Sequence, residues 1–95
     1  MRLKESEISA IKRSFEAVFN EGTVSLFGSR TDDTKKGGDI DLFLEVRNSS
    51  DLFLKKIRFL ALLKRQIGEQ RIDVVFNEDA GRLIEQEARR WAIRL

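Results

Sequence analysis

Asp39-Ile40-Asp41-Leu42-Phe43-Leu44-Glu45-Val46 alternates apolar with other side chains almost residue by residue. A period of two is the mark of a β-strand with one face turned to a core. Ile40, Leu42, Leu44 and Val46 share one face, while Asp39, Asp41, Phe43 and Glu45 share the other. The two aspartates therefore point the same way, roughly 6–7 Å apart along the backbone. Asp is poorly suited to strands, and like charges on one face repel. A purely structural strand would avoid that pair. Two fixed carboxylates at this separation instead suit a pair of divalent cations, and so metal-dependent phosphate chemistry.

Upstream, Thr23-Val24-Ser25-Leu26-Phe27 reads as a short strand that ends in a Gly28-Ser29 turn. Glycine lets backbone approach a phosphate closely, N–H groups at such a turn attract anions, and Ser29 adds a hydroxyl donor. Taken alone, the turn is ordinary, since any Gly-Ser after a strand looks like this. Residues 30–38, RTDDTKKGG, are polar with a Gly pair and read as a loop. Downstream, Arg71-Ile72-Asp73-Val74-Val75-Phe76 is a third strand, again with an Asp interrupting an apolar run. If it lies beside the first acidic strand, three carboxylates gather. The bland alternative is an edge-strand Asp paired with Arg71 or a Lys.

Three helices complete the pattern. Ser6 is placed to cap one running to about Asn20, with Ile8, Ile11, Phe15, Val18 and Phe19 in a narrow stripe. Asn48-Ser49-Ser50-Asp51 caps a second that reaches Ile67 and is closed by Gly68. Asn77 or Asp79 starts a third that runs to the C-terminus, with Leu83, Ile84, Ala88, Trp91 and Leu95 on one face. The expected fold is α/β (α+β), a small sheet with helices on one face and the Asp face left open.

Composition narrows the chemistry. Ninety-five residues make one domain over 1–95, with a single core. There is no Cys and no His, which excludes disulfides, thiolate sites, imidazole acid–base catalysis and serine–histidine triads. Carboxylate ligands favour Mg²⁺ or Mn²⁺. A net charge of +2, from 18 basic and 16 acidic residues, is too balanced to advertise nucleic-acid binding. No apolar run approaches a membrane span, and MRLKESEIS is no signal segment, so a cytoplasmic protein without membrane contact is expected.

Together, Gly28-Ser29, Asp39-Ile40-Asp41 and Asp73 resemble the minimal nucleotidyltransferases of the DNA polymerase beta superfamily. Two departures stand out: Gly38 where many relatives place Ser, and Arg30 followed by Thr31-Asp32-Asp33-Thr34 where an Arg-rich loop is common. The resemblance implies the nucleotidyltransferase fold, with a small mixed sheet. It implies that Asp39, Asp41 and Asp73 hold two Mg²⁺ ions, and that Gly28, Ser29 and Arg30 contact the phosphates of ATP. Asp73 would take the proton of an acceptor hydroxyl, and Lys35 or Lys36 would join Arg30 in neutralising pyrophosphate. Small members of this family are typically encoded beside a HEPN-domain protein. Several such pairs are toxin–antitoxin systems in which AMP is transferred to a tyrosine of the HEPN toxin. The resemblance implies that role and that partner here, and the absence of Tyr fits transfer to another molecule.

The middle helix carries its own message. Leu52, Phe53, Leu54, Ile57, Phe59, Leu60, Ala61, Leu62, Leu63 and Ile67 cover well over half its circumference. A helix lying on one sheet needs only a stripe. The surplus is either buried against a neighbouring helix or marks a second apolar contact. The second case gives the alternative function, a non-catalytic subunit that neutralises or supports a partner by apolar burial.

Overall fold

The computed structural model describes residues 3–28, 39–47, 50–77 and 92–95. Its elements are α1 (Glu5–Phe19), β1 (Thr23–Phe27), β2 (Ile40–Glu45), α2 (Leu52–Ile67), β3 (Ile72–Phe76) and β4 (Ile93–Arg94). The sheet order is β3-β2-β1-β4. β1 pairs antiparallel with β2 and with β4, whereas β2 and β3 are parallel. A parallel neighbour needs a crossover connection, and α2 supplies it. The sheet is mixed, and the α+β class expected from the sequence is the one observed.

The alternation in β2 does what its period requires. Ile40, Leu42 and Leu44 are fully buried under α1 and α2, in one cluster with Ile11, Phe15, Phe19, Leu26, Phe59, Leu63 and Phe76. Burying each such side chain is worth about 1.5–3 kcal/mol. Phe15, Phe19, Phe59 and Phe76 form an aromatic knot at the helix–sheet junction, with the Phe15 and Phe19 rings stacked 5.2 Å apart. The two helices are also tied by polar contacts. Gln66 Nε2 donates to the buried Ser14 Oγ at 2.9 Å, and Arg13 Nη2 donates to Gln66 Oε1 at 3.0 Å.

Three expectations need correction. α1 begins at Glu5, so Ser6 lies inside the helix rather than capping it. The start is fixed by Glu7, whose Oε1 accepts from the Lys4 N–H at 2.9 Å, and by acidic residues suited to the positive helix end. The last residues are not helical. Ile93 and Arg94 pair with β1, and the Leu95 N–H donates to the Val24 carbonyl at 3.0 Å. The other residues of the expected third helix, 78–91, lie outside the described ones. Asn77, one of the two starts read for that helix, also ties β2 to β3: its Oδ1 accepts from the Val46 N–H at 3.1 Å and its Nδ2 donates to the Val46 carbonyl at 3.2 Å. The Asp face is not open along its length either. Phe43 is 1 % exposed and forms a second small cluster with Phe27, Val75 and Ala92. Among the described residues, this small cluster does not extend over the end of the face where the aspartates stand.

Candidate active site

β2 and β3 run side by side in a register that sets Asp41 directly beside Asp73. In a parallel pair, in-register residues point to the same face. The two carboxylates come within reach of a shared hydrogen bond. Asp39, two residues earlier, shares that face just before β2 begins. The convergence expected of the three strand aspartates is therefore present for Asp41 and Asp73, with Asp39 next to them.

The electrostatics match this crowding. Burial, then the negative charges of Asp73 and Asp39, then a hydrogen bond that the protonated carboxyl donates to Asp73 push Asp41 up to about 6 from its ordinary 3.8. Among the described residues, neither Asp41 nor Asp73 has a cation opposite it. Asp39 does: Arg71 Nε lies 3.4 Å from its Oδ2, with both side chains solvated. Arg71 thus pairs across strands with Asp39, not with Asp73 on its own strand. The register explains the pairing: Ile40 aligns with Ile72, so the residues preceding them fall opposite each other.

Gly28 closes the site from the β1 side. Phe27 is in register with Asp41, so the turn after β1 passes over that carboxylate. A Cβ built on Gly28 would lie only 2.3 Å from Asp41 Oδ2, and the residue has φ +77°. Space and backbone conformation both demand glycine. The turn that the sequence marks as a phosphate cradle is therefore in direct contact with a strand carboxylate. Ser29, Arg30, Lys35, Lys36 and Gly38 lie outside the described residues.

Among the described residues, no three acidic side chains are gathered closely enough to hold a metal ion together. The donor set nevertheless fits a divalent cation. It consists of hard carboxylate oxygens on neighbouring strands, Asp41 half-buried and Asp73 exposed, crowded enough that Asp41 resists ionising. The third carboxylate, Asp39, is held nearby by one solvated guanidinium. No described helix is long and apolar enough to cross a membrane.

The family model described as a nucleotidyltransferase domain matches residues 8–94, nearly the whole chain. No curated protein matches it. The match spans every element that carries or supports the Asp39–Asp41–Asp73 group and the Gly28 turn, so the chain belongs to the nucleotidyltransferase domain family.

Proposed function

We propose that this protein is a Mg²⁺-dependent nucleotidyltransferase that moves AMP from ATP to a tyrosine hydroxyl of a HEPN-domain toxin, and so acts as its antitoxin. Nucleotidyl transfer is the activity of the family; the nucleotide, the acceptor and the antitoxin role are the proposal. The observation that carries the catalytic reading is the register of Asp41 with Asp73, with Gly28 packed on Asp41.

Asp39, Asp41 and Asp73 are assigned as the residues that hold Mg²⁺. Bound there, the metal supplies charge neutralisation for the phosphates and acidity to the acceptor hydroxyl. The chain's own residues do the rest. Gly28, lacking a side chain, lets the ATP phosphates approach Asp41 closely, and Ser29 and Arg30 are assigned to the same phosphates. Asp73 is the exposed member of the pair and so the one positioned to receive the acceptor proton. The acceptor oxygen forms its bond to the α-phosphorus while the bond from that phosphorus to the bridging oxygen breaks, and pyrophosphate leaves. Arg71 holds Asp39 near the pair.

The test is to incubate the purified chain with labelled ATP, Mg²⁺ and the HEPN-domain protein encoded beside it. Label should appear on that protein, and Asp41→Asn should reduce it by about a hundredfold or more. A neighbour that stays unlabelled rejects the proposal. The second reading, neutralisation by binding alone, is favoured by the exposure of Phe53, Leu54 and Ile57 on α2. In that case the Asp39→Asn/Asp41→Asn double variant would still neutralise the toxin.

A further inference from the structure

α2 buries Leu52, Phe59 and Leu63 against the core, yet it carries three large apolar side chains in water. Phe53 is 74 % exposed, Leu54 60 % and Ile57 49 %. At 100° per residue these three and Ala61 fall within an arc of about 100°, on the side of the helix away from the buried stripe. Beside Ala61 the surface dips into a groove of about 370 Å³ between α1 and α2, lined by Ala17, Val18, Ala61 and Leu62 with Arg58 at its rim. The two alanines leave the depression that a neighbour's side chain would fill. Ridge and groove together make a shaped apolar surface.

Along α2 itself the charge is one-sided. Between Leu52 and Ile67 the helix carries Lys55, Lys56, Arg58, Lys64 and Arg65 and no acidic residue at all. Arg58 and Arg65 are exposed on the same side as the apolar arc. A second copy of this chain is a poor occupant, because a two-fold contact sets a patch against itself and would bring these cations together. A lipid surface needs no concavity between two helices. We propose that the solvent face of α2, with the α1–α2 groove, docks an amphipathic helix of a partner protein whose apolar stripe is flanked by Asp and Glu. Leucine-like side chains enter the groove at Ala17 and Ala61, and the partner's carboxylates meet Arg58 and Arg65. The surface lies on the opposite side of the sheet from the Asp41 carboxylate, and the proposal uses no step of the transfer reaction.

The experiment titrates the full chain into two labelled synthetic helices with the same leucine stripe, one flanked by Glu and one by Lys, and reads fluorescence anisotropy. The Glu helix should bind and the Lys helix should not. Phe53→Ser/Ile57→Ser and, separately, Arg58→Glu/Arg65→Glu should each weaken binding about tenfold or more. All four positions are exposed, so melting temperatures should hold, and the charge-reversal pair serves if the apolar pair fails to fold. Four results overturn the proposal: no binding of the Glu helix, equal binding of both helices, dimerisation of the chain that depends on Phe53, or binding confined to phosphatidylserine vesicles. None of these substitutions touches Asp39, Asp41 or Asp73, so failure here leaves the transfer reading standing.

Discussion

Asp41 carries a charge that the surrounding fold resists. With its carboxyl raised from 3.8 to about 6, the folded protein holds a proton that the unfolded chain has released anywhere between those values. Below pH 3.8 both states are protonated at this group and no penalty exists. Stability then falls as pH rises, and the penalty is complete above pH 6. The side chain is half-exposed, so after solvent screening the effect is roughly 1–2 kcal/mol. Urea midpoints at pH 5 and pH 7.5, compared between wild type and Asp41→Asn, isolate it from the other carboxylates. The variant should be the more stable of the two at pH 7.5, with the gap narrowing at pH 5; a gap independent of pH would show that Asp41 ionises without penalty. Gly28 makes a second prediction at this scale. Gly28→Ala places a methyl group against the Asp41 carboxylate and forces φ +77° on a side chain that disfavours it. We expect a loss of about 1–3 kcal/mol, and activity reduced more than stability alone explains. Asp41→Asn in the same background should not restore folding, since its side chain fills the same space.

At the scale of elements, Asn77 shows how a side chain can finish a sheet. Its amide gives and takes one hydrogen bond with the backbone of Val46, a residue only 7 % exposed. Asn77→Ala strands a buried N–H and a buried carbonyl, and should cost about 1–3 kcal/mol in equilibrium unfolding. A loss no larger than that of a surface substitution would mean that water replaces the amide. β2 was legible because alternation over six residues is a strong periodic signal, and β3 because a short apolar run broken by one Asp also reads as a strand. β4 was not. Two strand residues, Ile93 and Arg94, follow an apolar spacing that also suits a helix, and only pairing with β1 decides between them. The cap at Ser6 failed for a related reason: a helix start can be set by a carboxylate three residues inside it as well as by a hydroxyl before it. The burial of Phe43 on the acidic face is non-local in the same way, since no pattern within β2 reveals what Phe27, Val75 and Ala92 do.

For the whole molecule, the carboxylate group links metal binding to folding. A ligand that binds only the folded state stabilises it by about 1.4 kcal/mol at ten times its dissociation constant, which raises the melting temperature of a domain this size by several degrees. Part of the affinity for Mg²⁺ should come from removing the repulsion that Asp41 feels from Asp73 and Asp39. Asp41→Asn relieves that repulsion permanently and gives up the ligand. The two proteins should therefore change order: in EDTA at neutral pH the variant melts higher, and as Mg²⁺ is added the wild type rises past it while the variant stays nearly still. Asp73→Asn should behave like Asp41→Asn. Arg71→Ala should keep the wild-type response and bind the metal more tightly, since it frees Asp39 from its only described ion pair. Parallel Mg²⁺ shifts in wild type and both Asn variants would place the cation elsewhere on the protein, and would remove the metal from these three aspartates.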